Sequence, residues 1–447
     1  MAVWSEINTS ELSKDLRIDP EYFQPCDIDY LRSLIKKKSK EIHDICDVTT
    51  GRTPGAYYED GDTIVVRSGD LIETLIYPDN GHPFLRTNRV NQNLVDLRNG
   101  DVLISSIGFG SIGKISIVVD SKDFATVSEV IILRNSLISN EYLFAYLRTQ
   151  PGQRQIEREV TGATGQQHLL KTKVEKIIIP LPSDELRENV KKIVRKSYDI
   201  AIHARKLYKE AENLLLKDLG LEHLSFPSPL FYERKYSESQ EAVRVDAEYF
   251  QPKYYRMIEA IQATGEVTRL GDMVSHCERG FQPEYVEDGE VAVINTKHLG
   301  RQFLCGEYEH CTLDVWNRQK RAQLRKWDVL FYSTGAYIGR TNCLLEDIRA
   351  IGSNHVTIIR PKEECNPVYL ALFMNSAAGL MQADRFGHGS AQREVYPDDI
   401  KNFTLWLPDI KRQEEFAEMV VQAHAKREES KQLLDEAKRL VEEAIKR

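Results

Sequence analysis

Three groups of residues in this sequence have the types and spacing to do chemistry. Gly108-Phe109-Gly110-Ser111-Ile112-Gly113 fits G-x-G-x-x-G after a strand-like DVLIS, the outline of a dinucleotide or S-adenosylmethionine loop. That fingerprint needs a helix next, and KISIVVD reads as a strand; the matching block Gly335–Gly339 has lost the pattern, so a turn between two strands is expected. Asp399-Ile400-Lys401 has the D-x-K half of a nuclease site without a suitably placed upstream Pro-Asp. His276 with Cys277, and Cys305, His310 and Cys311, are metal-ligand types, but adjacent ligands point apart in a strand and no CxxC pair occurs. GxxxxGK[ST], HExxH, GxSxG and any Pro-Pro are missing. The sequence therefore predicts no catalytic residue, no bound cofactor and no metal in this chain.

The whole chain has 447 residues, 41% hydrophobic and 29% charged, as in ordinary globular proteins. No apolar run approaches the ~20 residues of a membrane span. The first residues lack a secretory pattern, and seven cysteines without a framework fit a cytoplasmic location. The net charge of −8 argues against a basic nucleic-acid coat.

An internal repeat sets the architecture. RIDPEYFQP at 17–25 returns as RVDAEYFQP at 244–252, with seven of nine residues identical. NGDVLISSIGFGSIGK (99–114) matches RKWDVLFYSTGAYIGR (325–340), ATVSEVIILR (125–134) matches IGSNHVTIIR (351–360), and IIIPLP (177–182) matches FTLWLP (403–408). Short β-like runs fill the front of each copy, and helical stretches follow near Asn140–Leu147 and Val368–Met381. Beyond Pro182 and Pro408 the period changes. Leu186, Val190, Ile193, Ser197, Ile200, Ala204, Leu207, Ala211 and Leu214 form a heptad seam, and Phe416, Met419, Ala423, Leu433, Ala437, Leu440 and Ala444 form a second. The expected organisation is an α+β chain: a globule at 1–182, a helix at 183–219, a globule at 220–408 and a helix at 409–447. The two helices are expected to pair as an antiparallel coiled coil, relating the globules by a pseudo-two-fold axis.

This arrangement resembles the specificity (S) subunits of type I restriction–modification systems over nearly the whole chain. The elements that carry the resemblance are the G-x-x-P turns (Gly51, Pro54; Gly280, Pro283) and the DVL…G…IG blocks (Asp101–Gly113; Asp328–Gly339). Others are the small-residue-plus-Gln turns (Thr164-Gly165-Gln166; Ser390-Ala391-Gln392) and the I-x-L-P approach to each helix. One departure is that Gln413 opens the second helix where the first copy has Arg187. The resemblance implies a non-catalytic subunit whose two target recognition domains each read half of a bipartite site in duplex DNA. It implies helices that set the spacer and dock two methyltransferase (M) subunits carrying S-adenosylmethionine for adenine methylation. Restriction (R) subunits using ATP and Mg are the further implied partners. A coiled-coil interaction scaffold without DNA binding is the alternative reading.

Base-reading side chains are sought where the copies differ on loops, with Arg/Lys suited to guanine and Asn/Gln to adenine. In the first copy these are Arg52, Thr53, Arg67, Ser68, Ser105, Ser106, Phe109, Lys114, Gln166, Gln167, His168 and Lys171. In the second they are Phe281, Gln282, Asn295, Lys297, His298, Ser333, Tyr337, Arg340, Gln392 and Arg393. Arg86, Arg89, Arg321 and Arg325 are expected at phosphates. The RIDPEYFQP and RVDAEYFQP segments are expected to brace each globule against the long helices. Residues 1–182 carry 21 Lys/Arg against 25 Asp/Glu, and residues 220–408 carry 21 against 26. DNA binding must then rest on localised basic loops and on partner subunits.

Overall fold

The computed structural model describes residues 22–446 apart from 59, 73, 79–83, 91, 109, 163–166, 224, 226–228 and 390–392. The chain divides into two compact units. One runs up to His203 and resumes at Lys426; the other is Ala204–Ala425. Among the described residues no helix is long and apolar enough to cross a membrane.

In the first unit, β1 (Asp47–Thr50), β2 (Thr63–Val66), β3 (Val102–Ser105), β4 (Ile115–Val118), β5 (Phe124–Thr126) and β6 (Val130–Arg134) build two sheets. The order β1-β6-β3-β4 is antiparallel throughout, with Leu75–Ile76 added parallel to β4. The other sheet is Leu85–Thr87, β2, β5 and Val95–Asp96, with β2 parallel to β5. Every residue of β2, β3 and β4 is buried, which is why these runs are Val/Ile-rich rather than alternating.

The second unit repeats this plan. Strands β7 (Val274–Arg279), β8 (Val291–Ile294), β9 (Val329–Tyr332), β10 (Thr341–Cys343), β11 (Ala350–Gly352) and β12 (Val356–Pro361) give the order β7-β12-β9-β10, again antiparallel. A second sheet joins Glu309–Cys311, β8 and β11, with β8 parallel to β11. The G-x-G-x-x-G segment lies between β3 and β4, a strand-to-strand turn in which Gly108, Gly110 and Gly113 all have positive φ. No helix N-terminus follows it, so no phosphate cradle forms there.

Each globule is fastened by the same side chains. Helices α1 (Asn140–Leu147) and α2 (Gln150–Glu159) have counterparts described below as α4 and α5. Tyr142 donates to the Pro180 carbonyl at 2.7 Å, and Tyr369 to that of Trp406 at 2.7 Å. Gln155 closes a two-way hydrogen bond with the Ile178 backbone, as Gln382 does with Thr404. The Arg158 guanidinium lies 3.7 Å from the Tyr22 ring centroid and donates to the Tyr22 carbonyl; Arg385 repeats both contacts on Tyr249. Tyr22 and Tyr249 therefore brace against α2 and its counterpart; residues 17–21 of the first segment lie outside the described residues. Those short helices present the stacking arginines, so the cation–π contact decides the packing partner.

The DVL and I-x-R blocks are the two ends of one ion pair. Asp101, ahead of β3, takes a forked contact from Arg134 at the end of β6 (Nε–Oδ1 3.0 Å), and Asp328 takes one from Arg360 (2.7 and 2.7 Å). The carboxylates are 3% and 0% exposed. Each also accepts from a backbone amide, of Arg98 and Arg325, so no oxygen is left unsatisfied. The glycines shared by the two G-x-x-P turns are steric: a Cβ on Gly51 would run into the carbonyls of Thr126 and Val127, and one on Gly280 into that of Gly352.

Helix α3 spans Asp184–Asp218. After it come α4 (Pro367–Asn375), α5 (Ala377–Phe386) and α6 (Ile410–Lys446). In the first unit Val190 and Val194 of α3 share a core with Leu434, Ala437, Val441 and Ile445 of α6. In the second, Tyr208, Ala211 and Leu215 share one with Phe416, Val420 and Ala423. Ser197 meets Ser430, and Asp218 meets Arg412, so the partner number falls as the α3 number rises: the helices run antiparallel. Half of the expected seam is shifted by one residue. Val190, Ser197, Ala204 and Ala211 are buried as expected, but Val194, Tyr208 and Leu215 replace Ile193, Leu207 and Leu214. On α6, Val420, Leu434, Val441 and Ile445 replace Met419, Leu433, Leu440 and Ala444. Two neighbouring columns are both apolar. Of the displaced column, Ile193, Leu207, Leu214 and Met419 stay partly buried against a globule's core, widening the stripe beyond a strict two-column seam.

Two stability tests follow from these contacts. Asp101→Asn strands a buried guanidinium and should destabilise the first unit by about 3–5 kcal/mol, read by urea unfolding with hydrogen exchange at β3 and β6. Ser197→Ala alone leaves the buried Ser430 hydroxyl unpaired and should cost about 1–2 kcal/mol, whereas Ser197→Ala with Ser430→Ala should cost less than the sum of the two singles.

Candidate nucleic-acid interface

Strand direction brings the candidate loops together. Both β1 and β3 run antiparallel to β6, so their C-terminal ends lie at its start, with Thr50 opposite Ile131 and Ser105 opposite Val130. Strand β2 runs parallel to β5, and residues 127–129 join β5 to β6. The loops after β1, β2 and β3 therefore converge on the β5–β6 connection. Its hub is the Glu129 carbonyl, which accepts from the Ser68 hydroxyl (3.1 Å), the Ser106 hydroxyl (2.7 Å) and the Ser106 amide (3.0 Å). Arg52 N–H donates to the Thr126 carbonyl, and Thr53 Oγ1 lies 2.7 Å from Ser128 Oγ. His168 adds a bridge to Ile107 at the same edge.

The second unit forms the same edge from β7, β8, β9 and residues 353–355. Phe281 N–H donates to the Gly352 carbonyl, Ser333 N–H to that of His355 and Val395 N–H to that of Ser333. Glu394 gathers this edge through Arg279, Thr334 (3.2 Å) and Tyr396 (2.9 Å). Burial alone would raise the Glu394 carboxyl, but the hydrogen bonds from Arg279 and Tyr396 outweigh it and hold it below the ordinary glutamate range. Asp384 is likewise held down, against burial, by Tyr254 and Arg393.

The candidates separate by exposure. Arg52, Thr53, Gln167 and His168 stand exposed at the first edge, as do Gln282, Lys297 and Tyr337 at the second. Ser68, Ser106, Lys114, Phe281, Asn295 and Arg340 are half-buried there. Arg340 stacks 3.6 Å from the Tyr337 centroid. Arg67 is also half-buried and folds onto Asp70 at 3.0 Å, Lys297 pairs with Glu309, and Lys171 is exposed beside Glu175 at 3.5 Å. Phe109, Gln166 and Gln392 lie outside the described residues.

Three candidates face inward and need correction. Ser105 is fully buried and donates to the Ile107 carbonyl. Ser333 is fully buried against Thr357 Oγ1 at 2.6 Å. His298 is 1% exposed, with Nδ1 accepting from the Asn295 amide and Nε2 beside the Glu307 carbonyl at 2.9 Å; burial lowers its pKa. It is a neutral capping group. Arg393 is turned back onto Asp384 and props the base of its turn. Arg325 precedes β9, at the end of that strand opposite Ser333. Arg89 sits beyond Leu85–Thr87 at the start of β2, tied to Asp96, while Arg86 donates to the Gly61 carbonyl. Arg321 lies in the 3-10 turn Lys320–Ala322, also ahead of β9. These four cations therefore lie at the strand ends opposite the β5–β6 connection and its counterpart.

Sequence reasoning passed over Ser128 and Glu129, with their counterparts Asn354 and His355, at the centre of each edge. The signal was present: inside ATVSEVIILR and IGSNHVTIIR the aligned pair changes from Ser-Glu to Asn-His. Asp399, half of the nuclease-like D-x-K, accepts from His388 Nε2 at 3.0 Å, and Lys401 pairs with Asp398, so both serve the loop. Cys277 lies in the core of the second unit. Among the described residues no three His, Cys, Asp or Glu side chains cluster as a metal site.

The chain belongs to the type I restriction modification DNA specificity domain family, whose sequence model matches it twice, at residues 35–213 and 264–439. Three solved structures resemble it. The crystal structure of the type I restriction–modification S subunit from M. genitalium is 12% identical, with 92% of this chain and 95% of that chain covered and a TM-score of 0.38. The HsdS subunit from Thermoanaerobacter tengcongensis is 16% identical, with 91% and 96% covered and a TM-score of 0.29. A chain from work on complex assembly and conformational transition of the type I R-M system is 15% identical, with 91% and 97% covered and a TM-score of 0.29. No curated protein matches the sequence.

Acid should loosen the second edge. The Glu394 and Asp384 carboxyls have lower pKa values folded than unfolded, so the unfolded chain binds their protons more tightly. Their stabilisation is full above the ordinary carboxylate values and is lost as pH falls through the lowered ones. Urea unfolding of the second unit across that range should show a shallower pH slope in Arg279→Gln than in the parent.

Proposed function

We propose that this chain is the non-catalytic, DNA-reading subunit of a type I restriction–modification complex. Each unit reads one half of a split duplex site through its converging loops. Helices α3 and α6 serve as spacer and as the seat of two methyltransferase subunits. Those subunits supply S-adenosylmethionine and methylate adenine, and restriction subunits supply ATP-driven cleavage.

One observation carries this reading: the same loop edge is built twice on the same strand order, with different exposed side chains each time. Arg52, Thr53 and His168 are exposed at one edge, and Gln282, Lys297 and Tyr337 at the other. A duplicated scaffold whose two loop edges carry different side chains suits a target made of two unlike halves. The acidic balance of both globules gives the methyltransferase subunits a share of the phosphate grip.

The test is modified-base sequencing of DNA from cells expressing this chain with a methyltransferase subunit encoded beside it. The expected product is adenine methylation at one interrupted sequence, none with either protein alone, and weak, salt-sensitive duplex binding by the isolated chain. Methylation of a continuous sequence, or by this chain alone, refutes the reading.

A further inference from the structure

Several carboxylates around the two reading edges are paired with cations. Asp70 holds Arg67, Glu309 holds Lys297 and Glu394 holds Arg279. Glu129 forms no ion pair with any described residue, although Arg52 and Arg67 sit on neighbouring loops. Instead its Oε2 accepts from Thr53 Oγ1 at 3.1 Å and from Ser128 Oγ at 2.8 Å. Its own carbonyl is the three-donor hub of the edge, so the backbone beneath the side chain is fixed. The result is a half-buried carboxylate, oriented by two hydroxyls, at the centre of a surface meant to meet a polyanion.

A negative charge in that position repels phosphates and weakens binding to every sequence alike. It becomes favourable only where a base donates to it. In the major groove cytosine presents a lone donor, its N4 amino group, whereas adenine pairs its donor with the N7 acceptor and guanine offers two acceptors. A carboxylate that only accepts matches cytosine best; at adenine the neighbouring N7 acceptor opposes it, and guanine and thymine offer it no donor. The aligned residue of the second unit is His355, exposed, preceded by Asn354 whose buried Oδ1 has no partner. The same position therefore carries a different hydrogen-bonding code in each copy.

We infer that Glu129 is a specificity-determining residue of the first unit, accepting a hydrogen bond from cytosine N4 at one position of one half-site. Thr53 and Ser128 are positioning residues that aim it. The inference rests on the split-site reading above.

The test uses the full complex with its methyltransferase subunits, carrying Glu129→Gln, Glu129→Ala or Thr53→Val, with modified-base sequencing of both half-sites. Glu129→Gln and Glu129→Ala should relax the cytosine preference at one position by about 5- to 150-fold and leave the other half-site untouched. Affinity for non-cognate duplex should hold or rise, because a negative charge has gone. Thr53→Val keeps the charge and should relax the same position by a smaller factor. Thermal melting of each complex separates loss of reading from loss of fold. A split site read identically by the parent and both Glu129 variants overturns the assignment alone. Equal decay of both half-sites at unchanged melting temperature also overturns it. Absence of split-site methylation by the parent complex overturns the functional reading and this assignment with it.

Discussion

The forked ion pair between the residue ahead of one strand and the last residue of its neighbour sets the register on which each reading edge depends. Arg134 with Asp101, and Arg360 with Asp328, fasten β6 to β3 and β12 to β9 at the ends away from the loops. A slip of one residue would part the guanidinium from its carboxylate and turn every side chain of the strand to the opposite face. With register fixed there, the start of the central strand is fixed too. The three preceding loops then arrive at one place, held by the Glu129 carbonyl in the first unit and the Glu394 network in the second.

The two units divide their residues between holding and reading. The holding set is nearly the same in both: the Tyr–Arg stack, the Gln that clasps the last strand, the forked ion pair, and the glycine whose missing Cβ lets two backbones touch. These groups are buried or paired, so changing them carries a large energetic penalty. The reading set stands on loops whose exposed side chains tolerate replacement with little effect on stability. A scaffold of this kind can present unlike hydrogen-bonding surfaces without altering its core.

Much of this was legible in the sequence. The repeat offset identified the duplicated plan, because strands that pair alike must carry the same buried runs. Where the reading failed, the cause was geometric. Ser105 and Ser333 are polar residues next to glycine turns, and sequence alone does not say that they face inward, one onto a backbone carbonyl and one onto Thr357. His298 was read as a donor to DNA, yet its ring nitrogens close a local cap. The helix seam was offset because Ile193 and Val194, or Leu207 and Tyr208, are equally apolar, and only the partner helix decides which column it covers. Ser128 and Glu129 were passed over because base contacts were sought among Arg, Lys, Asn and Gln side chains, and only the fold puts this pair at the centre of the edge.

The folded unit is not the repeated unit. The first globule is closed by α6 residues from Lys426 onward, while the stretch that continues it in sequence, from Ala204, belongs to the second. During synthesis Val190 and Val194 emerge long before Leu434, Ala437 and Val441, the side chains that cover them. At ~5–20 residues per second the ribosome needs roughly 10–50 s to deliver that cover. For that interval a nascent chain displays an apolar stripe awaiting its complement.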